Sequence, residues 1–567
     1  METTRLLGPG WSTDDGVAAR GRAWTPDGRR ADLASAFASA RTLTSVAATA
    51  RRLDGFYAVV VDTDDAVFLV CDHARSVPLY FDTSESIVVG DSTRELVGDD
   101  RELDPLAASE FALTRYVTRG ETVYANVAAV RAGEVVAVPR ADPGSFERRR
   151  YARYRPTTAV EGDEATLLDA MDDVLAGVFD RVVDVADGRR VAVPLSGGVD
   201  SRLVAATLVD RGVDVLGFAF GVHGHADVEV SRDVADALGI DWAFIEYTPE
   251  RWHDWYHSAA RRDYHEYAFG GDALPFLAEW PAVKELQSRG VLDDALVCPG
   301  HTVATPSERV PASWLAEPPD ADGFVSHVLD EHYSLWAFED ERRRATFADR
   351  IRADAGLGAG AATAADADAP GGDAIPAYEE WEWTTRMATF TNGDARCYDW
   401  FGLDWWLPLW DPAYVRFWAS VPAEHRLGKR LQTEYTARRF RAVADVDEPT
   451  ARRTDADWTP VDQVRRTFET RPWVALDGDL EDWLGAQAVP PSNVESWGNY
   501  PLGWYGVIPR EDAGTFDAAR SLYSLRTLAA LDELSFGPGC VVDGPLTETL
   551  SLPPTESTSP GATDRLE

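Results

Sequence analysis

The sequence predicts a multi-domain α/β protein, with an α+β N-terminal sandwich followed by a parallel-sheet domain that carries helical C-terminal additions. Three observations predict this class. The chain has 567 residues, more than one hydrophobic core usually organises. Short β-branched and aromatic runs separated by turn residues fill roughly the first 150 positions. From about residue 164, strand-like and helix-like segments alternate.

Residues 53–60 (LDGFYAVV), 66–71 (AVFLVC) and 86–90 (SIVVG) read as strands divided by Asp, Thr and Ser, and 121–138 adds more of the same. Helices are expected at 31–40 and 103–115. The stretch from 164 (EATLLDAMDDVLAGVFDRVVDVA) places Leu167, Leu168, Met171, Val174, Leu175 and Val178 at helical spacing. Strand 190–195, a glycine loop, helix 200–211, strand 213–220, helix 227–238 and strand 241–247 follow. Such alternation implies a parallel sheet with right-handed crossovers. The domain boundaries expected are 1–155 and 160–450. Within the second, 353–376 is Ala/Gly/Asp-rich with almost no large apolar residue and reads as a mobile loop. Residues 377–445 are aromatic-rich and helical in character, 451–545 form a C-terminal extension, and 546–567 a frayed tail.

The charge is extreme: 95 acidic against 55 basic residues give a net −40, and only Lys284 and Lys429 among the basic residues are lysines. An acidic, arginine-over-lysine surface suits solubility in concentrated salt, where self-repulsion is screened, so a halophilic cytoplasm is the expectation. The acid is spread along the chain rather than gathered in one tail, which argues against a dedicated basic partner, and a nucleic-acid stripe is excluded on the same grounds. Cys71, Cys298, Cys397 and Cys540 show no C-x-x-C pairing, so neither a disulfide framework nor a zinc site is suggested. His253, His257 and His265 lack the acidic frame of a zinc motif. No apolar leader or membrane-length apolar stretch is present, and a cytoplasmic protein without membrane partners is expected.

The chemistry concentrates after strand 190–195, at Ser196-Gly197-Gly198-Val199-Asp200-Ser201, followed by the helix-like Arg202-Leu203-Val204-Ala205-Ala206. A strand ending in two glycines and opening a helix lets backbone N–H groups approach an oligophosphate, and the helix N-terminus adds partial positive charge. Ser196 and Ser201 supply hydroxyls, and Asp200 a carboxylate suited to Mg²⁺. The loop has no lysine, so it is not G-x-x-x-x-G-K-[ST], nor is it G-x-G-x-x-G. It resembles the SGGxDS signature of the PP-loop ATP pyrophosphatase superfamily, whose members cleave ATP between the α and β phosphates and adenylate a substrate.

Further passages narrow the resemblance. Leu53-Asp54-Gly55-Phe56-Tyr57-Ala58 and Asp72-His73-Ala74-Arg75-Ser76-Val77-Pro78-Leu79-Tyr80 look like the amidotransferase passages of asparagine synthetases. Thr122-Val123-Tyr124 to Glu134 resembles the connector of that family, and Leu407-Pro408-Leu409-Trp410-Asp411 with Phe417-Trp418 and Lys429 resembles its later helical region. The chain is thus identified as a member of the asparagine synthetase family. The resemblance implies an Ntn-like N-terminal sandwich and a PP-loop domain, with ATP at Leu195, Ser196, Gly197, Gly198, Asp200, Ser201, Phe220 and Gly300, and Mg²⁺ at Asp200. It implies that Lys429 stabilises phosphate charge.

Two departures stand out. The nucleophilic cysteine of the family at position 2 is here Glu2, which cannot form a thioester, so glutaminase activity is expected to be absent. Cys71 lies inside a strand and reads as core. The acidic loop of the family becomes Pro299-Gly300-His301-Thr302-Val303-Ala304-Thr305, with His301 and Ala304 where acids belong. His301 is a candidate ligand or catalytic group, and a loop histidine without chemistry is the alternative. The tryptophans Trp381, Trp383, Trp400, Trp405, Trp406, Trp410 and Trp418 read as packing rather than a ligand cage. The expected activity is ATP-dependent amidation of a small carboxylate, aspartate by resemblance, with ammonia, and a homodimer is left open. The alternatives are a non-catalytic nucleotide-binding homologue and an amide ligase for another acid. A tRNA thiolase is disfavoured, because it needs paired reactive cysteines and a basic face.

Overall fold

The run Asp54–Asp62, DGFYAVVVD, is apolar at nearly every position because both of its faces are covered. Ala58 and Val60 face one core, with Val67, Leu69, Phe81, Ile87 and Val136. Tyr57, Val59 and Val61 face another, with Phe37, Val46 and Ala50. Period-two alternation therefore sorts one strand between a second sheet and a pair of helices. The computed structural model describes residues 3–97, 102–157, 160–221, 223–334, 341–357 and 374–457, with Thr527 and the short strands Ser535–Phe536 and Val542–Asp543.

In chain order the N-terminal strands are β1 (Thr3–Leu6), β2 (Ser12–Asp14), β3 (Val17–Trp24), β4 (Asp54–Asp62), β5 (Ala66–Cys71), β6 (Tyr80–Asp82), β7 (Ile87–Gly90), β8 (Val127–Ala129), β9 (Glu134–Pro139) and β10 (Glu147–Arg150). They form an antiparallel six-stranded sheet, β10-β9-β5-β4-β3-β2, and a four-stranded sheet, β1-β7-β6-β8, in which only β1 and β7 run parallel. Helices α1 (Leu33–Phe37) and α2 (Leu43–Ala50) cover the outer face of the larger sheet; Thr42 and Ser45 close a capping box at the start of α2. Helix α3 (Pro105–Thr114) is capped by Asp104. Cys71 is fully buried in β5, as expected of a core residue.

The second unit begins with α4 (Glu164–Ala186), whose buried stripe Leu167, Leu168, Met171, Leu175, Val178, Phe179 and Val182 follows the predicted helical period. Five parallel strands follow: β11 (Val191–Pro194), β12 (Val215–Gly221), β13 (Asp241–Glu246), β14 (Leu296–Val297) and β15 (Asp404–Trp405), in the order β13-β12-β11-β14-β15. Helices α5 (Val199–Asp210) and α6 (Ala226–Leu238) make the crossovers. The order reverses direction between β11 and β14, and such a switch point opens a crevice at the strand C-termini.

The expected mobile segment 353–376 falls largely outside the described residues, the flanking helices running to Asp354 and from Ala374. Glu2 and most of 451–567 also lie outside them. A π-helical stretch, Trp383–Thr391, continues the helix Ala374–Glu382. Trp381, Trp383, Trp405, Trp406, Trp410 and Trp418 are buried and Trp400 is half-buried, in accord with the packing reading. The two units meet through Trp406, edge-on to Trp24 and Phe56 with ring centroids 5.4 and 4.6 Å away. Bidentate pairs reinforce this seam: Arg22 with Asp404 at 2.8 and 2.6 Å, and Arg416 with Asp54 at 2.9 and 2.7 Å. Among the described residues no helix is long and apolar enough to cross a membrane.

Candidate active site

Leu195 is buried and donates its N–H to Phe218 O at 2.7 Å, which anchors the loop to β12 as the chain leaves β11. Ser196 then turns back on itself: its N–H donates to Ser201 Oγ at 3.0 Å, and its Oγ lies 3.0 Å from Ser201 Oγ and accepts from Gly198 N–H at 3.3 Å. Gly198 caps α5 without a side chain, so the first turn of this 12-residue helix has no side-chain acceptor. A β-carbon on Gly197 would lie 2.8 Å from Asp455 Cβ. The first loop amide, Gly197 N–H, is taken by Asp227 Oδ1 at 2.7 Å. Burial raises the Asp227 carboxyl, and Asp455 adds to this against the Gly197 N–H. Asp227 thus occupies an amide of the kind that cradles phosphate.

The loop after β14 lies directly against the loop after β11. A β-carbon on Gly300 would fall 2.5 Å from Ser201 N and 2.8 Å from Ser201 Cα, so only glycine permits this approach. On the far side, Asp200 is engaged at both oxygens. Lys429 Nζ lies 2.8 Å from Oδ2, and Gln432 Nε2 donates to Oδ1. Gln432 is held in turn by Thr302 Oγ1 at 3.0 Å and Tyr414 Oη at 2.6 Å, both donating to its Oε1. Lys429 Nζ also lies 2.9 Å from Glu308 Oε2. Burial pulls the Lys429 ammonium down, but Asp200 and Glu308 outweigh it and hold it above its usual value. Lys429 adopts left-handed backbone geometry (φ 54°) directly after Gly428 (φ 63°), an arrangement that costs a non-glycine residue about 1 kcal/mol or more.

The ammonium of Lys429 sits between two carboxylates, as a bound cation would. Asp200 and Glu308 form an all-oxygen donor pair, the type that holds Mg²⁺ together with substrate phosphates, so these residues fit the expected ion.

His301 follows Gly300 and faces a buried acidic pair rather than solvent. Its Nε2 lies 3.3 Å from Asp394 Oδ2, and its Nδ1 is buried with no hydrogen-bond partner. Asp394 and Glu279 hydrogen-bond to one another, and Tyr398 Oη donates to Glu279 Oε1 at 2.6 Å. Burial raises both carboxyls, Asp394 to about 6, and Glu279 holds the shared proton well above the usual carboxylate range. Burial lowers the His301 imidazole, against the opposing pull of Glu279 and Asp200, which favours its neutral form. With Nε2–H assigned toward Asp394, Nδ1 carries an unused lone pair.

Seven of the sequence-designated residues, Ser196, Gly197, Gly198, Asp200, Ser201, Gly300 and Lys429, are therefore joined by direct contact or chain continuity. Leu195 lies beneath the loop, and His301 borders it through Gly300. Phe220 is half-buried at the end of β12 and stacks on Tyr247 with centroids 5.6 Å apart. Sequence reasoning missed Asp227, Glu308, Gln432, Glu279 and Asp394. Only Gln432 carried a local signal, standing one helical turn after Lys429.

The family model described as asparagine synthase matches residues 175–454. A tRNA-specific 2-thiouridylase of Parvibaculum lavamentivorans is 30% identical over 133 residues, 20% of this chain and 32% of the relative. One of Bartonella henselae is 28% identical over 172 residues, 28% of this chain and 39% of the relative. The chain thus spans well under half the length of these relatives. A glutamine phosphoribosylpyrophosphate amidotransferase structure from B. subtilis, complexed with ADP and GMP, is 13% identical with a TM-score of 0.17, covering 53% of this chain and 59% of that one. The SGGVDS loop, its partner loop at Gly300 and Lys429 all fall inside the matched segment: residues 175–454 are an asparagine synthase domain.

Proposed function

We propose that the chain is an ATP-dependent, AMP-forming amide ligase that joins ammonia to a small carboxylate, aspartate being the first candidate, without glutaminase activity of its own. The observation that carries this reading is Lys429: one of two lysines in a chain of 53 arginines, it reaches across the fold to the loop carboxylate Asp200. The uncapped start of α5 and the loop hydroxyls supply donors for phosphate oxygens. Lys429 offers a mobile point charge for developing negative charge, which an arginine fork would place differently. Mg²⁺, held by Asp200 with Glu308, would neutralise phosphate charge during pyrophosphate departure. In this reading His301, whose Nδ1 is buried without a partner, would take a proton from the attacking amine, with Asp394 orienting its ring. The expectation of no glutaminase rests on Glu2, which has no thiol to form the thioester. We place the protein in a salt-rich cytoplasm on its charge balance.

A second reading, a nucleotide-binding protein without turnover, is favoured by one observation: Asp200 and Gly197 N–H already have partners within the protein. The two are separated by measuring AMP formation dependent on aspartate, ammonia and Mg²⁺ in molar KCl, beside calorimetry with a non-hydrolysable ATP analogue. The ligase reading expects stoichiometric AMP and pyrophosphate. Tight analogue binding with no AMP for any small acid would leave the second reading standing, and AMP with another acid alone would change the substrate.

A further inference from the structure

A cavity of about 1000 Å³ lies between β10 of the N-terminal sheet and the helices Ala374–Glu382 and Trp383–Thr391, away from the SGGVDS loop. Nine arginines line it against four carboxylates, in a chain whose net charge is −40. Arginines on a sheet edge often serve only to keep other strands away, with their charge spent in water or on local acids. Among the described residues Asp272 meets Arg75 at 2.5 Å and Asp354 meets Arg119 at 2.9 Å, and the other seven arginines share Glu147, Glu380 and the nearby Glu134. Glu380 meets Arg153 at 2.6 Å, Arg155 at 3.4 Å and Arg150 at 3.9 Å. Glu134 is shared by Arg131 at 2.6 Å and Arg148 at 2.8 Å. The hydrogen bonds of Arg51 and Arg149 go to neutral acceptors, Tyr151 O at 3.2 Å and Thr44 Oγ1 at 2.8 Å. Arg150 has a side chain 17% exposed, donates from Nη2 to Thr384 Oγ1 at 3.1 Å, and keeps its Nε buried without a partner. Burial, with Arg131 and Arg153 acting against Glu380, pulls its guanidinium down to about 10.

We infer that this cavity binds a small linear oligophosphate at the seam between the two units. The volume exceeds what a single inorganic ion needs and lies in the range of small-molecule sites, about 300–1000 Å³. Guanidinium forks pair with phosphate oxygens bidentately, and a chain of phosphates offsets more guanidiniums per unit of space than a tricarboxylate does. Thr389 adds a hydroxyl to the lining, whereas Thr384 Oγ1 already donates to Glu380 O at 2.8 Å and accepts from Arg150 Nη2 at 3.1 Å. The shared chemistry is the oligophosphate itself, whether inorganic or the tail of a nucleotide. The inference is independent of the reaction proposed for the SGGVDS loop.

The test is calorimetric titration of the full chain with inorganic tripolyphosphate, and separately with a non-hydrolysable ATP analogue, at the lowest KCl that keeps the circular dichroism spectrum native. The variant is R51Q/R149Q/R150Q, with R149E alone as a milder substitution at an exposed position should the triple variant fail to fold. Tripolyphosphate is expected to show a site in the wild type that weakens at least tenfold in the triple variant and about threefold in R149E, while analogue affinity at the SGGVDS loop stays within twofold. A second analogue site lost in the same variants assigns a nucleotide source, and its absence an inorganic one; either supports the site. Unchanged tripolyphosphate affinity and stoichiometry in the variants would overturn it. Citrate binding as tightly as tripolyphosphate at equal ionic strength would overturn the ligand class.

Discussion

Lys429 Nζ stands 2.8 Å from Asp200 Oδ2, a contact between residues 229 positions apart that ties the helix Arg430–Ala444 to the start of α5. Two tests of the proposed chemistry begin here. Asp200→Asn keeps a side chain of the same shape and a compatible helix first turn, so the fold is expected to persist. Mg²⁺-dependent pyrophosphate release should fall about 10²–10³-fold, the scale for losing a preorganised charge contact. Wild-type Mg²⁺ dependence in this variant would remove Asp200 from the site.

Lys429→Ala leaves Asp200 and Glu308 facing each other without the cation between them. Turnover should drop by about 10²-fold or more. The variant should also gain more thermal stability from added Mg²⁺ than the wild type does, because the ion can fill the vacated position. Lys429→Arg should recover stability but little turnover. An equal Mg²⁺ response in wild type and Lys429→Ala, measured by differential scanning fluorimetry, would contradict the paired-carboxylate site.

Gly300→Ala introduces a methyl 2.5 Å from Ser201 N, which forces the two loops apart. The expected result is a KM for ATP raised about tenfold, some 1.4 kcal/mol, with a smaller change in kcat. A KM within twofold of wild type would show that the close approach does not shape the nucleotide site.

The Glu279–Asp394 pair makes stability depend on pH in an unusual direction. Both carboxyls titrate higher in the folded chain than in the unfolded one, because burial outweighs their contacts with His301 and Tyr398. For Asp394 the folded state therefore binds more protons between about pH 4 and 6, and its contribution is fully present below that window and is lost as pH rises through it; the raised Glu279 acts in the same direction. Asp394→Asn should stabilise the protein at pH 7 by about 1–3 kcal/mol and flatten this part of the profile. The readout is denaturant unfolding in concentrated KCl at pH 4.5, 5.5 and 7. A variant less stable than wild type at pH 7 would refute the assignment.

The strands at 54–62, 66–71 and 191–194 and the loop between β11 and α5 could be read from the sequence because local alternation and glycine chemistry determine them. The partners of the loop could not. Asp227, Glu308, Glu279 and Asp394 are four among 95 acidic residues, and nothing local sets them apart. Packing brings Glu279 and Asp394 together across 115 positions of chain, and burial alone gives them their altered acidity. The π-helical stretch Trp383–Thr391 was equally hidden, because the apolar spacing of an aromatic-rich segment does not distinguish it from ordinary helix.

The guanidinium of Arg202, one residue past the SGGVDS hexapeptide, has a consequence for how the protein is made. It donates to Ala451 O at 2.9 Å and Arg453 O at 2.6 Å, and also to Gly197 O at 3.2 Å. On the ribosome, the loop emerges some 250 residues before the carbonyls that clasp it, an interval of roughly 10–50 s at about 5–20 residues per second. Strand β15 also joins the sheet only late in that interval. A nascent chain therefore exposes an unclasped SGGVDS loop while some 250 further residues are made. Chains stalled shortly before and well after residue 453 should differ in proteolytic cleavage at the loop, and equal cleavage would show that the clasp is not what closes it.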